Sequence, residues 1–104
     1  MLVGALLVLT GCGSGSQSLV PDSGRFADRA TVIHLPGERA TLCTGPVAES
    51  YPPQCDGIPI TNWDWGSVPN EQVASGVRWG DYRVEGNVEE GEFTLTARPE
   101  PAGK

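Results

Sequence analysis

Two tryptophans that flank an acidic residue, Trp63-Asp64-Trp65, form the clearest candidate ligand-binding group in the sequence. Residues i and i+2 of a strand point to the same face, so on a strand both indoles would form a platform with Asp64 behind it. Exposed indoles beside a carboxylate can stack on sugar rings, which predicts carbohydrate binding by Trp63, Asp64 and Trp65. The alternative is that the rings fill a small core, because an aromatic side chain buries about 150–250 Å². We expect core positions for Trp79 and for one of the two indoles.

The remaining side chains that could act in catalysis or metal binding are isolated from one another in the sequence. His34 lies in a predicted strand with no carboxylate at a spacing that suggests catalysis, which favours a structural or solvated histidine. Glu89, Glu90 and Glu92 surround a predicted turn but lack the alternating order of a calcium loop, which favours a solvated acidic turn. The sequence has no phosphate-binding glycine loop and no Gly-x-Ser-x-Gly motif. We therefore predict no catalytic residue, no metal ligand and no cofactor, and we expect that the protein is not an enzyme.

The N-terminal segment has the pattern of an exported, lipid-anchored protein. An uncharged run from Met1 to Leu9 is apolar apart from Gly4. It is too short to span a bilayer, which needs about 20 apolar residues, but it has the length of a signal-peptide core. The tetrad Leu9-Thr10-Gly11-Cys12 closes this run, and it resembles the lipobox of bacterial lipoproteins.

The lipobox resemblance implies a signal peptide over residues 1–11 and lipidation of Cys12 by acyl chains such as palmitate. The protein would then be anchored to the cell membrane at its extracytoplasmic face, which takes more than one acyl chain. The chain departs from the family because no Lys or Arg precedes Leu9. A merely apolar N-terminus is the alternative.

The other two cysteines, Cys43 and Cys55, are predicted to form a disulfide. A lipid anchor on Cys12 would place them outside the cytoplasm, where disulfides persist. They enclose eleven residues, and closing a loop of this size contributes about 2–3 kcal/mol. A zinc site would need about four ligands and a catalytic thiol would need a base. His34 is the single histidine for either alternative.

The loop inside this disulfide ends in Ser50-Tyr51-Pro52-Pro53-Gln54-Cys55. This segment is similar to the reactive-loop end of Bowman-Birk-type serine-protease inhibitors, which carry Ser-x-Pro-Pro-x-Cys before a disulfide. The resemblance implies that Glu49 enters the protease pocket and that Ser50 follows it. A disulfide and two prolines would hold the loop in a bound-like shape, which lowers the ordering cost of binding. The chain departs from the family because Cys43 lies seven residues before Ser50, where the family's cysteine is much nearer. A stiff turn is the alternative.

Composition divides the chain into segments. Glycine and serine after Cys12 predict a flexible, lipid-anchored linker over residues 12–25, and a disordered tail is expected over residues 99–104. Residues 26–98 are predicted to be one small β domain. The net charge of −6 argues against nucleic acid and anionic lipid headgroups as partners. We expect contact with the membrane through lipid on Cys12, and with an envelope protein or a cell-wall glycan.

Alternating apolar residues predict short strands over residues 31–35, 40–44 and 58–63, followed by a C-terminal hairpin. The hairpin turn is predicted at Glu89-Glu90-Gly91. The apolar positions change from odd to even numbers across Gly80-Asp81, which predicts a β-bulge. Five short strands predict an all-β fold, namely a small antiparallel barrel of OB-like type stapled by one disulfide. A small β-sandwich is the alternative.

Four features lie between about residues 42 and 97: Cys43, the segment from Pro52 to Gly57, the Trp63-Asp64-Trp65 group, and Gly76-Val77-Arg78-Trp79-Gly80. Together they resemble small uncharacterised lipoproteins of high-GC Gram-positive bacteria. The resemblance implies a class and a compartment but no activity. We expect a non-enzymatic cell-envelope lipoprotein domain that contacts a protein or the cell wall. Carbohydrate binding and serine-protease inhibition are the alternatives.

Overall fold

The computed structural model describes residues 20–102, which fold almost entirely into β-strands. Within these residues there is no α-helix and one short 3-10 helix, Trp65–Ser67. The strands are β1 Gly24–His34, β2 Thr41–Cys43, β3 Gly57–Pro59, β4 Gln72–Ala74, β5 Val77–Glu89, β6 Glu92–Leu95 and β7 Glu100–Pro101. All the strand pairs are antiparallel, and Cys43 and Cys55 form a disulfide. The predicted all-β class with one disulfide is confirmed.

The sheet is organised around the long pair β1–β5. β1 pairs with β5 over its whole length, and on its other edge it pairs with β2, which in turn pairs with β3. The second edge of β5 is covered by three short strands in succession, β4, β7 and β6. The structure therefore has two short edge strands, β4 and β7, beyond the five that the sequence predicts.

The sheet curves but does not close into a complete barrel. Its two ends approach each other where Ile60, just after β3, forms a single parallel bridge with Phe93 of β6. The Thr61 N–H donates a hydrogen bond of 2.9 Å to the Phe93 carbonyl at this point. One bridge is not a ladder, so the sheet is not closed, and the predicted five-stranded OB-like barrel stays a prediction.

The predicted C-terminal hairpin is present, but the predicted bulge at Gly80-Asp81 is wrong. The register between β1 and β5 is continuous from the pair Gly24–Val88 to the pair His34–Arg78. The hairpin turn consists of Glu90 and Gly91, which both have positive φ, at 51° and 77°. Positive φ at both central residues is typical of the tight turns that match strand twist.

The apolar residues of β5 change from odd to even positions for a different reason. The first part of the strand buries one face, and the rest of the strand buries the opposite face. From Tyr82 onward, the even-numbered residues face the main core, which includes Phe26, Val32, Leu42, Ile60, Tyr82, Val84, Val88 and Phe93. Val77 and Trp79 face the opposite side, where they pack with Ile33 and Cys43 in a second cluster. Antiparallel partners share a face, and the pair Ile33–Trp79 is part of this second cluster.

The described strands and core extend beyond the predicted domain boundaries of residues 26–98. Gly24 and Arg25 belong to β1, and Val20 is buried in the main core, although residues 12–25 were expected to be a linker. Glu100 and Pro101 form β7 and pair with β5, although residues 99–104 were expected to be a tail. The predicted signal peptide and Cys12 lie outside the described residues.

Gly80 is required because the ring of Tyr82 lies across it. A Cβ atom built on Gly80 would lie 2.7 Å from Cε2 and 2.7 Å from Oη of Tyr82. Both residues are on the same face of β5, and Tyr82 is only 1% exposed, so the ring has no free space into which to move. The Tyr82 hydroxyl is further fixed because it donates a hydrogen bond of 2.8 Å to the Pro69 carbonyl.

We predict that Gly80→Ala lowers the free energy of unfolding by about 1–3 kcal/mol, the usual cost of overpacking. Gly45→Ala is the matched control, because no heavy atom lies within 4 Å of a Cβ built there. The control should remain within about 0.5 kcal/mol of the original protein. Urea denaturation measures both values, and equal stability of the two variants would contradict the proposed contact.

Candidate functional site

The Trp63-Asp64-Trp65 segment does not lie on a strand. The predicted strand over residues 58–63 ends at Pro59, and the chain turns at Thr61 and Asn62. Asp64 is the N-cap of the 3-10 helix, and its Oδ1 accepts a hydrogen bond of 2.9 Å from the Gly66 N–H. This carboxylate therefore accepts a hydrogen bond from a backbone N–H at the start of the helix, which is the usual role of aspartate there.

The two indoles do not form a common flat surface. The centroids of Trp63 and Trp65 are 5.3 Å apart, and their planes are inclined at 74°. Both rings also contact Tyr82, with centroid distances of 5.3 Å and 6.3 Å, and both pack against the main core. The expected two-ring platform is thus corrected to a half-buried edge-to-face cluster, because aromatic rings in a core prefer inclined contacts.

His34 holds Trp65 in this cluster. The Trp65 Nε1–H donates to His34 Nδ1 at 2.8 Å, and the planes of the two rings differ by only 14°. His34 Nε2 lies 2.5 Å from the Glu38 carbonyl oxygen, which can only accept. The hydrogen bonds therefore assign the proton to Nε2, and both imidazole nitrogens are engaged.

The hydroxyl of Tyr82 completes the cluster. Burial raises the pKa of Tyr82 above its ordinary value of 10.0, and the nearby carboxylates of Glu71 and Asp81 raise it further. The phenol consequently stays protonated and donates to the Pro69 carbonyl. By contrast, Trp63 Nε1 is buried and has no hydrogen-bond partner among residues 20–102.

The loop between Cys43 and Cys55 is braced at its base and across its middle. The Cα atoms of the two cysteines are 5.7 Å apart, and beside them the Thr44 N–H donates to the Asp56 carbonyl at 3.0 Å. Further out, the Ala48 N–H donates to the Gln54 carbonyl at 2.7 Å. These contacts keep the two arms of the loop side by side up to Ala48.

The tip of the loop presents Glu49 and Ser50 to solvent. The Ser50 hydroxyl donates to the Pro52 carbonyl at 2.8 Å, and the Tyr51–Pro52 peptide bond is cis. Tyr51 packs edge-on against Trp79, with ring centroids 5.4 Å apart, although 76% of its surface remains exposed. The loop is therefore seated on the second cluster, with its tip free.

The acidic turn of the hairpin does not gather its carboxylates into a site. Glu92 pairs with Arg39, with an N–O distance of 2.8 Å, whereas Glu89 and Glu90 are exposed. No group of three or more metal-binding side chains occurs anywhere between residues 20 and 102.

Sequence reasoning missed the apolar surface beside the loop. Leu35 was expected to be the last residue of the strand over residues 31–35, but it follows β1 and is 43% exposed. It lines a cavity with Pro52 and Pro53. The one signal in the sequence is Pro36-Gly37, which directly follows Leu35. Proline has no N–H to donate, so pairing with β5 does not continue past His34.

Comparisons of this chain with protein-family models, curated proteins and solved structures find no match. No helix in the described part of the chain has the length and apolar character needed to cross a membrane. The motifs and the geometry of the two candidate surfaces are therefore the basis of any functional proposal.

We predict that Trp63→Phe and Trp65→Phe differ in their effects on stability. Trp63→Phe removes an unpaired buried N–H, so its lost packing is offset and the stability should change by less than about 1 kcal/mol. Trp65→Phe breaks the bond to His34 and should cost about 1–2 kcal/mol. Urea denaturation compares the two, and a larger loss for Trp63→Phe would contradict this assignment.

Proposed function

We propose that this chain is a non-enzymatic, lipid-anchored domain of the bacterial cell envelope that binds another protein through the Cys43–Cys55 loop. The observation that carries the proposal is the exposure of Glu49 and Ser50 at the tip of a loop whose arms are fixed. A loop already held in one conformation loses little entropy on binding, so more of its contact energy appears as affinity.

A non-catalytic role is supported by how the chemically capable side chains are used. Both nitrogens of His34 are occupied by Trp65 and Glu38, and an oxygen of Asp64 caps the 3-10 helix. His34 and Asp64 are therefore committed to contacts within the fold. The inclined rings of Trp63 and Trp65 also present no common face to a cell-wall sugar.

The envelope location is supported by the cysteines. Cys43 and Cys55 form a disulfide, and disulfides persist mainly in oxidising compartments outside the cytoplasm. The lipobox-like tetrad ending at Cys12 supplies a means of anchorage, and the Gly- and Ser-rich residues that follow can serve as a linker. The net charge of −6 is unfavourable for nucleic acid.

We predict that Cys12→Ala moves the protein from the membrane fraction to the soluble fraction in a bacterial host that processes lipoproteins. Mass spectrometry of the original protein should show acyl chains on residue 12, and Ser16→Ala should leave both results unchanged. Unaltered membrane association of Cys12→Ala would rule out this anchor without affecting the proposed role of the loop.

Serine-protease inhibition is the second candidate, and the cross-loop geometry favours it. The hydrogen bond from Ala48 to Gln54 and the disulfide brace the segment between them, in which Glu49, Ser50 and Tyr51 are exposed. Glu49 stands where the inhibitor resemblance puts the residue that enters the protease pocket. Although the disulfide loop is longer than in that family, the Ala48–Gln54 pair brings the arms together close to the tip.

We predict that the protein inhibits a serine endopeptidase that cleaves after glutamate. Glu49→Ala should weaken inhibition by about 30-fold or more, because truncating a central binding residue typically costs about 2 kcal/mol or more. Inhibition constants measured with a chromogenic substrate test this prediction.

Glu90→Ala, in the exposed hairpin turn, is the matched control for lost charge and should inhibit as well as the original protein. Equal weakening by both substitutions would indicate a general charge effect. No inhibition at micromolar concentration would eliminate the protease hypothesis and leave another envelope protein as the partner.

A further inference from the structure

An apolar groove lies beside the loop on the outer face of the sheet. Its volume is about 330 Å³, and none of its lining side chains carries a charge. Ile33 and Val77, which are buried, and the half-buried Cys55 line it together with Leu35, Pro52, Pro53 and the exposed Gln54. We call this the Leu35 groove.

The groove follows from the strand register. β1 and β5 stop pairing at His34–Arg78, and Leu35 continues in line with Val77 on the face that also carries Ile33 and Trp79. The loop returns over this face because Cys55 is tied to Cys43 in the second cluster. The loop therefore covers part of the second cluster but leaves an opening between Leu35 and the two prolines.

The walls of the groove are preformed. Pro52 and Pro53 have few rotatable bonds, and the disulfide fixes the position of Cys55. Leu35 is 43% exposed and Tyr51, next to Pro52, is 76% exposed. Exposed apolar side chains gathered around a fixed opening are typical of a surface that another molecule covers.

The surroundings of the groove are acidic. The loop and the residue that follows it carry two carboxylates, Glu49 and Asp56, which are exposed and have no ion-pair partner within residues 20–102. Arg78, which follows Val77, is paired with Glu71 at 3.2 Å. Complementary charge therefore favours a basic partner surface.

We propose that the Leu35 groove binds an apolar side chain that is flanked by Lys or Arg on the surface of the partner protein. This inference rests on the proposed binding of a protein through the Cys43–Cys55 loop and adds a second contact beside it. A second copy of this chain is a poor occupant, because two molecules with a net charge of −6 repel each other.

The test uses three capped peptide amides as probes, Arg-Leu-Arg, Arg-Ser-Arg and Glu-Leu-Glu. They are titrated into the full chain carrying Cys12→Ser, which prevents lipidation, and methyl chemical shifts are followed by NMR. Arg-Leu-Arg should bind about tenfold more tightly than Arg-Ser-Arg, because only leucine fills the apolar opening. It should also bind more tightly than Glu-Leu-Glu, and the largest shifts should be those of Leu35 and Val77.

Leu35→Ser should weaken Arg-Leu-Arg binding about tenfold. Val73→Ser is the matched control, because Val73 is 56% exposed but is not part of the groove, and it should bind as before. Equal affinity for the three peptides, or equal effects of the two substitutions, would overturn the proposal. So would a dimer in sedimentation that Leu35→Ser abolishes, because a second copy would then occupy the groove.

The experiments distinguish failure of the groove from failure of the loop hypothesis. Protease inhibition that depends on Glu49, without peptide binding at Leu35, would eliminate the groove and retain the loop as the binding site. Peptide binding at Leu35, without any partner that depends on Glu49, would retain the groove and eliminate the loop tip as a binding site.

Discussion

The antiparallel pairing of β1 with β5 is the constraint on which the rest of the structure depends. Eleven consecutive residue pairs in one unbroken register make this the longest contact between elements. Every other described strand except β3 pairs directly with one of these two, and several are only two or three residues long. Short strands gain little from their own hydrogen bonds, so β1 and β5 supply the surface that orders them.

This long pair also explains why so small a domain has two apolar clusters. The main core lies on one face of the pair, and the second cluster lies on the other face at the end where β1 stops and β5 begins. The disulfide joins the loop to that second face, and Tyr51 rests on Trp79. The loop tip and the Leu35 groove are therefore held side by side.

The two candidate sites, the aromatic cluster and the loop, differ in how many of their polar groups already form hydrogen bonds within the chain. In the aromatic cluster, the Trp65 N–H, both nitrogens of His34 and one oxygen of Asp64 are all used within the chain. In the loop, the backbone is braced while Glu49 remains exposed. Groups that already form hydrogen bonds within the chain are not available to a ligand, which is why we propose protein binding by the loop.

Local chemistry in the sequence was enough to determine the β class and the pairing of the only two cysteines in the described chain. It also located the hairpin turn at Glu89-Glu90-Gly91, of which Glu89 proves to be the last residue of β5. Each depends on neighbouring residues or on compartment and count. The sequence misidentified the phase change at Gly80-Asp81 because alternation shows that a residue is buried without showing which face it is on. The phase change could come from an extra residue in the strand or from burial of the second face of β5. Which of the two occurs depends on the residues that pack there from other segments, here Cys55 and Tyr51. The inclination of the two indoles and the opening beside Leu35 were likewise decided only when distant segments met in three dimensions.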